Sequence, residues 1–432
     1  MRNNVLQYII RFLLGDDIPG ELVDAIGYTA NPNKFDKYNV VIIPSGFFNE
    51  EVYGTDASIP QTPLKEVHGI PLLFGSPKEE WVGDTWVVHA DIIASTFFMI
   101  SRYEEMIRRD VRDEHGRFPG KESLPYRAGF LHRPIVDEYR MLLRSWLRQS
   151  RIHVPDIQNG IRKVYLTHDV DSPTLYRSWK GVIRSIIAKR GLKRSIKGKF
   201  GKLESDPYYT FPWLFSQDNM LRGKLGKEKC HSILFIKSGG NSKHDKPHYR
   251  LNENDMKSLI RFAESQELSI GLHCSYQTGI NPEHIEKEKA ELEKHIGKEI
   301  SFNRHHYLSI REPEDMDMVE ASGLTDDFTL GYADISGFRL GTSYPVRWIN
   351  PITRRLSPLT IHPLAIMDCT LEEDKYMGLK SDEALSYCEG IIDRVEKTGG
   401  ELVLLWHNDS VLEGSESYLR LLYTKLLDRL AR

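Results

Sequence analysis

The sequence predicts an α/β protein in two parts: a smaller mixed α/β region over residues 1–160, then a larger domain, 161–432, of parallel strands joined by crossover helices. Three observations predict it. At 432 residues the chain exceeds the usual size of one domain. From Arg162 onward, apolar runs alternate with charged runs of helical length. The order fits either a doubly wound sheet or a barrel, and polar residues with chemistry to offer gather where those apolar runs end, which is where a barrel collects its reactive groups.

In the first part, Val5, Leu6, Ile9, Ile10, Leu13 and Leu14 line one side of an opening helix. Arg11 splits that apolar run, and Asp16 and Asp17 stand where a secretory signal needs small residues, so it does not read as a leader. NVVIIPS (39–45) follows as a strand, IPLLFG and TWVVHADII are buried candidates, and ADIIASTFFMISRYEEMIRRD has helical length. A polar, turn-rich loop, DEHGRFPGKESLPYRAGFLHRP, leads to the helix VDEYRMLLRSWLRQS. The boundary falls near Gly160.

In the second part, KVYLTHDV and CHSILFI read as strands. The helix NDMKSLIRFAESQ feeds LSIGLHCS, PEHIEKEKAELEKHIG feeds ISFNRHHYL, and EALSYCEGIIDRVEKTG feeds ELVLLWHN. One insertion, residues 180–202, carries nine Lys or Arg among Val182, Ile183, Ile186, Ile187, Leu192 and Ile196. Such a basic amphipathic stretch either packs on its own domain or makes peripheral contact with an anionic membrane surface or substrate.

Composition narrows the classes. With 40% hydrophobic and 28% charged residues the chain is globular, and a formal net charge of -3 gives no reason to expect nucleic acid as a partner. Four scattered cysteines form no CxxC pair, which argues against a disulfide scaffold and a thiolate zinc cluster and for a reducing, cytoplasmic setting. No apolar run is long enough to span a bilayer.

Four strand ends carry the candidate chemistry. In THDVD, Asp169 and Asp171 are two apart, so an extended backbone projects both carboxylates to one side. A divalent metal would hold one as ligand and leave the other as general base; the alternative is an acidic turn facing solvent. In GLHCSYQTG, His273 is either a ligand, imidazole suiting zinc, or a core histidine, and Ser275 ties the loop or orients a ligand. In FNRHHYLS, Arg304 suits pairing with Asp169, and at most one of His305 and His306 faces the cleft, with Tyr307 beside them. In LVLLWHNDS, His407 suits proton donation to a leaving group, whereas Trp406 is either core or a substrate platform.

The order of these segments resembles the polysaccharide deacetylase superfamily, the NodB-homology enzymes related to carbohydrate esterases. The resemblance implies an irregular (β/α)7 barrel over roughly Arg162 to Arg432, with an accessory domain like those ahead of such catalytic domains in some bacterial proteins. It implies Asp169 as base, Asp171 as metal-binding aspartate, His273 as first histidine of the second motif and Ser275 as its hydroxyl residue. It likewise implies Arg304 as support for the base and His407 as the leaving-group histidine. Where the common pattern has a second histidine, four residues after His273, this chain has Gln277, a poorer zinc ligand. His306, standing where the third motif has proline, is the replacement candidate; His168 points opposite Asp169.

The implied activity is metal-dependent, most simply zinc-dependent, removal of an N-acyl group from an amino sugar in a glycan or its nucleotide- or lipid-linked precursor. Ser275, Gln277, Tyr307, Arg339 and Trp406 are its candidate substrate contacts, with Arg339 equally suited to a structural ion pair, and Asp334 and Asp368 are candidate supporting groups. Two rival readings are another C–N hydrolase on the same barrel, working without metal, and a silent glycan-binding protein.

Overall fold

The opening helix, Asn3–Leu14, buries Val5, Ile9, Ile10, Leu13 and Leu14, the stripe its spacing predicts, against a second helix, Ile135–Gln149. The computed structural model describes residues 3–177, 182–183 and 192–432; residues 180–181 and 184–191 of the basic 180–202 stretch, with Ile186 and Ile187, lie outside them. Strands β1 (Ile26–Tyr28), β2 (Val40–Ile42), β3 (Lys65–Val67), β4 (Ile70–Leu72), β5 (Gly75–Val82) and β6 (Thr85–Ala90) follow. β1, β2 and β6 run parallel, β5 adds an antiparallel edge, and β3–β4 form a small hairpin.

The long helix expected over residues 90–110 is two helices, Ile92–Ile100 and Tyr103–Ile107. Arg102 between them has φ +56°, left-handed backbone that ends a helix. Its buried guanidinium pairs with Glu105 at 2.5 Å, and Glu105 also takes two hydrogen bonds from buried Arg339 of the second part, at 2.9 and 2.8 Å. One apolar core runs through both parts, from Val5 to Leu430.

The larger sheet has nine strands: β7 (Lys163–Val170), β8 (Cys230–Ile236), β9 (Ser269–Cys274), β10 (Phe302–His305), β11 (Asp326–Asp327), β12 (Val346–Asn350), β13 (Arg355–Ile361), β14 (Leu364–Met367) and β15 (Glu401–Leu405). Their order is β12-β13-β11-β10-β9-β8-β7-β15-β14, and every neighbouring pair is parallel except β12–β13. Helices Asn254–Ser265, Ile285–Ile296 and Ser381–Thr398 make the predicted crossovers. β13 and β14 are consecutive along the chain yet pair with opposite ends of the sheet, β11 and β15. The sheet therefore curls, and residues 355–367 run from one side of it to the other.

Alternation along β7 sorts its side chains. His168 points to the helix layer, where Nδ1 donates to the Trp406 carbonyl (2.8 Å) and Nε2 meets Asp218 (3.1 Å). Asp169 points the other way. Among the described residues no helix is long and apolar enough to cross a membrane.

Candidate active site

These reactive side chains sit at strand carboxyl ends: Asp169 on β7 and Asp171 just after it, Lys237 after β8, His273 on β9, Arg304 on β10 and His306 just after it, Asp368 after β14 and His407 after β15. Arg304, fully buried, donates through Nη1 to Thr167 Oγ1 (2.7 Å) and Asp169 Oδ1 (3.2 Å) and through Nε to the Phe328 carbonyl (3.1 Å). Its guanidinium lies 4.7 Å from the centre of the Phe235 ring. One Asp169 oxygen is thus held by a cation, while the other, Oδ2, stands 3.7 Å from His273 Nε2.

Asp171, His273 and His306 converge. Asp171 Oδ1 lies 3.1 Å from His273 Nε2 and 3.2 Å from His306 Nε2. Each imidazole is oriented through its other nitrogen: His273 Nδ1 donates to the Arg304 carbonyl (2.9 Å), and His306 Nδ1 meets Asp245 Oδ1 (3.3 Å). Partners of this kind set the tautomer that leaves Nε2 free to ligate. The three ligand atoms lie within 4.8 Å of one another. Bonds of about 2.0 Å to a tetrahedral zinc would place neighbouring donors about 3.3 Å apart, so this oxygen and two nitrogens fit a divalent ion.

The electrostatics are strongly biased. Burial pushes the Asp171 carboxyl upward, but His306, His273 and Lys237 outweigh it and hold the group well below the usual carboxylate range. Burial likewise opposes charge on His306, and Asp171 and Asp245 overcome it, raising the imidazole. Lys237 Nζ, almost fully buried, stands 3.9 Å from Asp171 Oδ1.

His407 closes the opposite side. Its Nδ1 meets Asp368 Oδ1 at 2.8 Å, its backbone N–H donates to Asp368 Oδ2 (2.7 Å), and its Nε2 lies 3.8 Å from Asp171 Oδ2. Burial disfavours the imidazolium, yet Asp368 raises His407 well above its ordinary value. Asp169, Asp171, His306, Tyr307 and His407 share a cleft of about 560 Å³.

The structure keeps other sequence candidates out of this cleft. Arg339 is the structural ion pair, locked to Glu105, with Nη1 on the Gly331 carbonyl (2.8 Å). Trp406 is fully buried, its indole N–H on the Leu419 carbonyl (3.3 Å) and its ring against Tyr423, because it sits one residue out of phase with His407. Ser275 is the loop tie: its hydroxyl donates to Glu288 (2.6 Å), and it caps the turn Tyr276–Gly279. Gln277 Oε1 accepts from the Asn241 N–H (3.0 Å) and lines a neighbouring cavity of about 700 Å³ with Lys237 and Glu288. Asp334 accepts from the backbone of Gly120 (2.7 Å) and Lys121 (3.1 Å).

Four contributors escape sequence reasoning. Asp245 lies in an aperiodic turn, SGGNSKHDKP, and meets His306 across 61 residues. Lys237, one residue past an apolar strand, carried the one legible signal, a charge at a strand's carboxyl end. Arg117 and His115 come from the first part of the chain; Arg117 lines the cleft, and the His115 ring packs on Tyr307 (4.8 Å).

Residues 4–151 match a family of unknown function, DUF7033. No curated protein matches the chain. Among solved structures, a Mycobacterium smegmatis protein assigned as a polysaccharide deacetylase is similar at 15% identity, TM-score 0.40, covering 65% of this chain and 86% of its own. Puue allantoinase is similar at 14% identity, TM-score 0.37, over 64% of this chain and 87% of its own. A mutant CE4 family pseudoenzyme with restored enzymatic activity is similar at 10% identity, TM-score 0.29, over 65% and 68%. With identities this low, the case for chemistry stands on the side chains.

Proposed function

We propose that the protein is a hydrolase of the polysaccharide deacetylase superfamily, removing an N-acyl group, acetyl in the simplest case, from an amino sugar. One observation carries the reading: the Arg304-held Asp169 and the Asp368-held His407 flank the Asp171, His273 and His306 cluster in one cleft. A divalent ion held by those three residues, zinc by the chemistry of the donors, would polarise the acyl carbonyl and acidify water. Asp169 Oδ2 takes a proton from the attacking water, and Arg304, bonded to Oδ1, keeps the carboxylate aimed. The water oxygen bonds to the acyl carbon, the C–N bond breaks, and His407, held protonated by Asp368, gives its proton to the departing amine. The products are a free amine and a carboxylic acid.

The reading extends to a seven-position barrel over residues 161–432, residues 355–367 filling the closing position, with 1–160 as its companion. It places the protein in the cytoplasm, acting on a soluble nucleotide-linked or a lipid-linked amino-sugar intermediate. The basic 180–202 stretch supports peripheral contact with an anionic membrane: within it Ile196, on the helix Leu192–Phe200, is 46% exposed.

Release of acetate from a panel of N-acetylated free, nucleotide-linked and lipid-linked amino sugars tests the reaction. A stoichiometric metal ion whose removal by chelator abolishes release supports the mechanism; release by the metal-free protein overturns the metal assignment. One observation favours a second reading: Lys237 already sets a cation beside Asp171, as C–N hydrolysis without metal would require.

A further inference from the structure

The cleft is completed by the first part of the chain. In the loop after the helix Tyr103–Ile107, the Asp113 carboxylate accepts from the backbone N–H groups of His115 and Arg117 (both 2.9 Å) and from Arg117 Nε (2.8 Å) and Nη2 (2.7 Å). That turn delivers an arginine in a fixed orientation. Arg117, buried, donates through Nη1 to the Tyr307 carbonyl (2.8 Å) and through Nη2 to the Tyr376 hydroxyl (3.3 Å). Four residues on, Lys121 Nζ donates to the Tyr376 carbonyl (2.9 Å), and Asp334 anchors the backbone of Gly120 and Lys121.

The residue so held is the one after His306. Tyr307 (φ +61°) and Leu308 (φ +52°) are consecutive left-handed residues, and neither is glycine. Non-glycine residues keep that conformation only where their surroundings impose it. Here the surroundings are the Arg117 guanidinium on the Tyr307 carbonyl and the His115 ring on the Tyr307 ring, which packs in turn on His306 (4.7 Å). His115 is itself wedged against His244 (5.1 Å) and Tyr276 (5.8 Å).

We propose that the loop 113–121 is a clamp that sets the backbone at Tyr307 and thereby aims His306 into the metal cluster, with Arg117 as its positioning residue. The region 4–151 thereby forms a wall of the reaction cleft and orients one ligand. The inference rests on the metal reading only in the readout chosen first.

Zinc alone, titrated calorimetrically into the metal-free full-length protein, tests it. Arg117→Ala is expected to weaken zinc about 10-fold, the lower bound for losing a group that orients a ligand. Tyr307→Gly is the rescue: glycine adopts positive φ without support, so adding Arg117→Ala to Tyr307→Gly is expected to cost less zinc affinity than in the wild type. A general structural role for Arg117 would give equal losses in both backgrounds. If Arg117→Ala does not fold, Arg117→Lys, which keeps the charge but not the fork, takes its place with the same expectations. Wild-type zinc affinity in the arginine variant overturns the proposal. If the wild type itself takes up no zinc, the metal reading fails instead, and the variant's crystal structure decides: Tyr307 and His306 unmoved overturns the clamp, and Tyr307 leaving the left-handed region sustains it.

Discussion

Two histidine and carboxylate clusters sit at opposite ends of the curled sheet and use the same chemical parts differently. At the carboxyl end, His306 bridges Asp171 and Asp245, and Asp171 remains 30% exposed in the cleft. At the amino end, His362, in the two-residue link between β13 and β14, meets Glu401 through Nδ1 and Asp326 through Nε2, both at 3.0 Å. The His362 ring lies flat on Phe328, centroids 4.4 Å apart and planes 6° apart. Both of its nitrogens are spent and a face is covered, so it can do nothing but hold the seam. Asp171 offers the oxygen that meets His306 to a second imidazole, His273 at 3.1 Å, and lines the cleft, and that convergence separates a ligand from a brace.

The largest effect expected within this contrast is catalytic. Asp169→Asn should lower kcat about 10³-fold, in the range for loss of a general base, with zinc uptake retained. Acetate release alongside metal content checks it; a drop in both together would make Asp169 a ligand. Next comes the exchange of roles. His306→Ala, which removes a ligand rather than a group orienting one, should weaken zinc by about 100-fold or more (~2.7 kcal/mol), and it should destabilise the metal-free protein less than the loss of His362, because Asp245 keeps its backbone donors. His362→Ala should destabilise by about 3 kcal/mol, because it strands buried Glu401 and half-buried Asp326, and leave zinc uptake unchanged. Denaturant unfolding and calorimetry of both variants would break the comparison if the losses fell the other way round.

A smaller effect separates the ends by pH. Burial disfavours charge on His362, but Asp326 and Glu401 raise it above its ordinary value near 6.5. A raised histidine contributes stability in full below the unfolded value and loses it as pH climbs through the folded one. The gap in Tm between wild type and His362→Gln should therefore be widest near pH 6 and narrow above it. A gap that widened with rising pH would mean that His362 is held neutral. The smallest effect is at Trp406: Trp406→Phe should leave kcat and KM at wild-type values, and a raised KM would return its ring to the cleft.

What the sequence made legible follows strand periodicity. Alternation separated Asp169 from His168 and admitted at most one of His305 and His306 to the cleft; the structure puts His306 there. His305 is buried beside Asn303 and pushed down to about 3 by burial, so it stays neutral. The same rule, applied one strand over, excludes Trp406, which is out of phase with His407. Periodicity ends where the chain turns. Ser275 shares the parity of His273 but begins a turn, so its hydroxyl finds Glu288 rather than the cleft. Arg339 and Glu105 meet across 234 residues, and Arg117 and Tyr307 across 190, distances over which a pattern of neighbours carries no signal.

The buried trio of Arg102, Glu105 and Arg339 also bears on how the molecule is made. At 5–20 residues per second a ribosome needs roughly 10–50 s to travel from Glu105 to Arg339. Throughout that interval the nascent amino-terminal segment carries an acid with only half of its eventual counter-charge. The segment therefore matures only when the strands that follow it have emerged, and the wall of the cleft is finished no earlier than the floor.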